Sequence, residues 1–123
     1  MLITAEQHRK LVDNGRKSAE TGDDDHFPVV RLTTPHGWSW IITEADPQDI
    51  NKLFGLIDLG TNTPEVGHCE LSQIENAKLP LGMRVERDTS FTGHKPLSIY
   101  MREADEEAVR KFAETCRGAR GKW

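Results

Sequence analysis

With 123 residues the chain fits one domain, and a chain of this size buries about two-thirds of its unfolded surface, enough for a core without staples. Hydrophobic residues make up 36%, charged residues 29%, and 20 acids against 16 bases leave a net charge of −4, which excludes a general nucleic-acid coat but not a local basic patch. No apolar run spans a membrane, Met1-Leu2-Ile3 leads straight into polar residues with no signal-peptide core, and two cysteines are too few for a disulfide framework. The expectation is a cytoplasmic chain with Cys69 and Cys116 as free thiols.

Thr4 and Gln7 have the spacing of a capping box and open a first helix. Ala5, His8, Leu11, Val12 and Ala19 form its thin apolar stripe, and Asn14-Gly15 marks an early end. Arg9, Lys10, Arg16 and Lys17 lie on its outer face. Thr21 to His26 contains no apolar residue and reads as a solvated loop. The period then changes. Val29 to Thr34 alternates as a strand, Pro35-His36-Gly37 is turn chemistry, and Trp38 to Thr43 is a second strand, together a hairpin. Asp46-Pro47 begins a turn. Leu53 to Leu59 is apolar on both faces and reads as a central strand, and Val66 to Leu71 is a fourth.

Ser72 and Glu75 repeat the capping-box spacing and predict a short helix stopped by Pro80. Met83 to Asp88 predicts a fifth strand near a sheet edge, because its charges are dense. Leu97 to Tyr100 adds a short extended segment. A last helix from about Glu103 to Arg117 carries Ala104, Ala108, Phe112 and Cys116 on one face, with Glu106–Arg110 and Glu107–Lys111 as i,i+4 pairs. Arg117, Arg120 and Lys122 make a basic tail before Trp123. The fold class is α+β: one domain over 1–123, a four- to five-stranded antiparallel meander with an N-terminal helix, a C-terminal helix and a short helix between strands, the helices on one side.

The common local catalytic motifs are missing: no CxxC, HExxH, GxSxG or phosphate-binding glycine loop occurs, and the five histidines are scattered. No catalytic residue, metal ligand or cofactor is assigned. Trp38 and Trp40 share a strand face and form either a base-stacking platform or, preferably, core packing with Val30, Leu32 and Ile42. Glu44, Asp46 and Asp49, with Glu86, Arg87 and Asp88, supply clustered carboxylates of the kind hard cations or acid–base chemistry need. The preferred reading is an ion pair from Arg87 to Glu44 or Asp46. Asp23-Asp24-Asp25-His26 reads as a solvated tip. His68 and Cys69 are adjacent in a strand and point to opposite faces, so they do not share a metal.

Several of these pieces recur together. Leu2-Ile3-Thr4 precedes the first helix, Thr34-Pro35 the turn, then come Trp38-Ser39-Trp40, Thr43-Glu44-Ala45-Asp46 and Phe54-Gly55. Glu65 and Gly67, Leu71-Ser72-Gln73-Ile74-Glu75, Pro80 and Gly82, Glu86-Arg87-Asp88 and Phe91 follow in order. This series resembles a bacterial domain-of-unknown-function family carried on plasmids, conjugative elements and phages, over residues 1–91, with the helix and tail of 103–123 beyond it. The sequence departs at His68 and Cys69, where the pattern has aromatics. The resemblance implies an accessory protein of a mobile genetic element and places Glu44, Asp46, Glu86, Arg87 and Asp88 in the shared pattern. Three functions follow as expectations. The first is a non-enzymatic protein that binds a host or element protein, an anti-defence factor being one form. The second binds nucleic acid through the basic helix face and tail. The third is a metal-dependent enzyme using the acidic cluster.

Overall fold

The computed structural model describes residues 1–61 and 63–120, the side chains of 112, 113 and 115–120 excepted. The expectations placed on Phe112, Cys116 and the tail side chains lie outside the described residues.

Helix α1 spans Ala5–Thr21 and starts on the capping box expected from Thr4 and Gln7: Gln7 N–H donates to Thr4 Oγ1 at 3.1 Å and Thr4 N–H to Gln7 Oε1 at 2.9 Å. The helix does not end at Asn14-Gly15. It runs on to Gly22, whose φ of 73° supplies the left-handed cap. Gly15 is buried, and a Cβ there would lie 2.0 Å from the Ala45 carbonyl oxygen. Asn14 Nδ2 donates to the Thr43 carbonyl at 2.9 Å. Both residues serve the seating of α1 on a strand rather than its termination.

Five strands follow: β1 (Val30–Thr33), β2 (Ser39–Asp46), β3 (Asp49–Asp58), β4 (Glu65–Glu70) and β5 (Glu86–Arg87). They form one antiparallel sheet in the order β4-β3-β2-β1-β5. The first four are a meander, and β5 returns to the free side of β1. The hairpin register sets Val30 opposite Ile42 and Leu32 opposite Trp40. These four, with Leu53, Ile3 and Leu11, are the buried centre of the core. The pairing of β2 with β3 slips between Ile42 and Glu44. The extra residue, Thr43, is fully buried and its Oγ1 donates to the Phe54 carbonyl at 3.3 Å, so the bulge keeps its hydroxyl satisfied.

Helix α2 (Leu71–Glu75) sends Ile74 into the same core. It begins one residue before the expected cap. Ser72 lies inside the helix, and its N–H is satisfied from β3, where Asn51 Oδ1 accepts it at 2.8 Å. A short 3-10 turn at Pro80–Gly82 precedes β5, which is an edge strand as expected but only two residues long.

Helix α3 spans Leu97–Arg120, so Leu97 to Tyr100 is helical and not extended. Its start is fastened from the loop after α1. Leu97 N–H donates to the His26 carbonyl at 3.0 Å, and Ser98 N–H and Oγ donate to the two Asp25 carboxylate oxygens at 2.9 and 2.6 Å. Asp25, exposed like Asp23 and Asp24 as expected of a solvated tip, is also a helix cap supplied from a distant segment. Alternation along β3 turns Leu53 toward α1 and Phe54 to the other face, where Phe54, Val66, Leu97 and Met101 line a shallow cavity. The helices thus lie on both faces, α1 and α2 on one and the start of α3 on the other. On α3, Arg110 bonds Glu107 at 2.6 Å rather than Glu106, and Lys111 approaches Glu107 at 3.9 Å as expected.

Candidate functional site

A concavity lies between α1 and α2, at the end of the sheet where β2 turns into β3. Its volume is about 770 Å³. One cross-strand row, Ala45, Leu53 and Cys69, lies along its floor. Gly15, Ser18 and Ala19 of α1 form one wall, and Gln73 of α2 the other. Glu44, Asp46, Lys52 and Glu70 bring charge to it, three acids against one base. Burial pushes the Cys69 thiol up to about 11, which keeps it neutral and a poor nucleophile. Cys69 is a free thiol, as expected.

Ser18, His26 and Glu44 meet beside this groove. Ser18 Oγ lies 2.8 Å from Glu44 Oε2 and 2.8 Å from His26 Nε2, with the carboxylate 3.7 Å from the same ring nitrogen. The His26 and Glu44 side chains are only 10% and 17% exposed. A serine hydroxyl has one proton, and here it goes to the carboxylate, so His26 presents Nε2–H to the serine oxygen. The chain of donation runs His26 to Ser18 to Glu44. In a nucleophile relay the hydroxyl instead gives its proton to the imidazole, and the carboxylate holds the other ring nitrogen. This node is a clamp. It ties α1, the bulged end of β2 and the segment that caps α3.

The residues singled out from the sequence fall in three places. Trp40 is 6% exposed in the core; Trp38 is half-buried against it, edge-on to Trp40 at 6.3 Å and tilted against the His36 ring at 4.6 Å. Glu44 and Asp46 stand at the end of β2, where the Asp46 carboxylate accepts from Gln48 N–H at 2.9 Å. Glu86, Arg87 and Asp88 stand at the opposite sheet edge. Arg87 pairs with neither Glu44 nor Asp46. It lies opposite Leu32, hence level with Trp40 and two strands away from the β2 end, and its Nη1 donates to the Met1 and Leu2 carbonyls at 3.2 and 3.0 Å. The ion pair at this edge is Arg31 with Asp88 at 3.0 Å. The Ser90 hydroxyl first, then Arg31, hold the Asp88 carboxyl below its usual range. The two acidic groups do not converge, and among the described residues no three His, Cys, Asp or Glu side chains are arranged to hold a metal. On α1, Arg9, Lys10, Arg16 and Lys17 are exposed as expected, with Arg16 3.6 Å from Asp13.

A family model described as a protein of unknown function, DUF2958, matches residues 2–109. The chain belongs to the DUF2958 family. No curated protein and no solved structure matches it. The match runs past Phe91 into α3, so it includes every wall of the groove and the Ser18–His26–Glu44 clamp of this DUF2958 chain.

The sequence does not single out Ser18, and it shows His26 only as the end of a solvated tip. A signal exists for Ser18: Leu11, Asn14, Gly15 and Ser18 recur at helical spacing, so the inward stripe of α1 continues in small and polar residues that an apolar pattern does not include. For His26 there is none, because its partners come from α1 and β2.

Proposed function

We propose that this DUF2958 chain is a non-enzymatic binding module, an accessory protein of a mobile genetic element that engages a host or element protein, anti-defence being one setting for it. The mobile-element setting rests on the sequence resemblance. The observation that carries the binding reading is the open groove between α1 and α2, which adjoins a strand edge with no further strand on it among the described residues. Grooves with a few converging polar groups and an adjacent sheet edge suit polypeptide partners. The clamp supports the same reading, because it directs the Ser18 proton to a carboxylate and so holds the wall of the groove rather than arming a nucleophile.

The test is site-specific photocrosslinking in a bacterial lysate. A photoreactive residue at Gln73, in the groove wall, is expected to capture a discrete polypeptide. The same probe at Val109 on α3, which is 68% exposed, is expected to capture none. Equal capture from both positions contradicts the reading. Salt-sensitive retention of DNA, lost when Arg9, Lys10 and Lys17 are replaced together by Glu, would instead favour the nucleic-acid function.

A further inference from the structure

Strand β4 has β3 on one side and, among the described residues, no strand on the other. Its six residues extend about 20 Å and present unpaired backbone donors and acceptors along that length. Open edges of this kind are templates for another strand, and the side chains determine which one fits.

The ends of β4 are both acidic, Glu65 and Glu70, and both are exposed. In the antiparallel register that pairs all six residues with a second copy, Glu65 falls opposite the partner's Glu70 at each end, and like charges directly opposite destabilise. The edge therefore works against its own copy. A strand with Lys or Arg at those two positions replaces both repulsions with attractions. The middle of the strand is permissive. A Cβ built on Gly67 meets nothing within 4 Å, so a side chain of the incoming strand has room beside it, on the face that Cys69 and the groove floor share.

We infer that β4 accepts, as a sixth strand, an extended polypeptide segment carrying Lys or Arg opposite both Glu65 and Glu70. This rests on the binding-module reading and specifies its partner as basic and extended. The strand supplies main-chain hydrogen bonds, and the five-residue spacing of its two basic residues, which puts them on opposite faces, sets the register.

The probe is a capped hexapeptide, Lys-Val-Thr-Val-Thr-Lys, titrated calorimetrically at low salt against the full chain. One-to-one binding is expected. Replacing Glu65 and Glu70 together by Lys is expected to weaken it about tenfold or more, and a peptide with Glu at both ends is expected to bind that variant, which also shows that the variant is folded. Methylating alternate peptide nitrogens on the pairing edge is expected to abolish binding while leaving the charges in place. Absence of binding at millimolar peptide, unchanged affinity of the charge-reversed variant, equal binding of the methylated peptide, or a dimer of the chain that the peptide does not compete with would each overturn the inference. A polypeptide captured at Gln73 and still held by the Glu65→Lys, Glu70→Lys variant overturns strand addition alone and leaves the binding-module reading intact.

Discussion

Trp40 lies in β2 and Trp38 just before that strand begins, and only Trp40 is closed off by the core, opposite Leu32. Trp40→Ala is expected to cost about 3–5 kcal/mol, as large aromatic truncations in cores do. Trp38→Ala is expected to cost less, since part of its ring already meets solvent. Urea unfolding of the two variants checks this; equal midpoints for Trp40→Ala and wild type would contradict the core assignment. Cys69 carries a pH signature. Its folded thiol titrates near 11 against 9.0 for a free one, so between those values the unfolded chain has lost a proton that the folded chain retains. Stability therefore falls as pH rises through that window. Alkylation of native Cys69 at pH 8 is expected to be slow and to become fast only on unfolding, and rapid native labelling would contradict it. Both assignments were legible in the sequence, because alternation alone places Trp38 with Trp40 and separates Cys69 from His68. Arg87 was not legible. Its partners are the carbonyls of Met1 and Leu2, and backbone acceptors leave no trace in side-chain chemistry.

The seating of α1 on β2 gives a prediction whose sign opposes helix propensity. Gly15→Ala favours an isolated helix by about 1 kcal/mol, but the added methyl would lie 2.0 Å from the Ala45 oxygen. Forcing the helix off the strand is expected to destabilise the chain by about 1–3 kcal/mol net, measured by urea unfolding; a stabilised variant would contradict the close approach. The same contact explains why Asn14-Gly15 looks like a helix end in sequence and is not one. At the start of α3, Asp25→Ala is expected to cost about 0.5–2 kcal/mol as a lost cap and to speed hydrogen exchange at the Ser98 amide. Caps borrowed across the fold, Asp25 for Ser98 and Asn51 for Ser72, are the reason both helix starts were misplaced by local spacing. At the β1–β5 edge, Asp88 is held below its ordinary range. Its stabilising share is present above the unfolded carboxylate value and lost as pH falls through the depressed folded one. Asp88→Asn is expected to flatten the acid limb of the stability profile, and an unchanged limb would contradict the Ser90 and Arg31 contacts.

Across the whole molecule, alternation and turn residues made the four-strand meander legible, since each of its neighbours is adjacent in sequence. The return of β5 to β1 and the passage of α3 to the second face were not legible. Both depend on long-range contacts, the first on Arg87 reaching the N-terminal carbonyls and the second on Asp25 and His26 holding Leu97 and Ser98. Among the described residues those closures leave β4 as the long open edge, at the far side of the sheet from the two-residue β5, with the groove beside it. The central claim is that this edge is where a partner joins the sheet. Backbone amide hydrogen exchange with and without the lysine-ended hexapeptide tests it most directly. The account predicts slowed exchange confined to amides of Glu65 to Glu70, with those of Glu86 and Arg87 unchanged. Protection at β5, or none along β4 at saturating peptide, would contradict it.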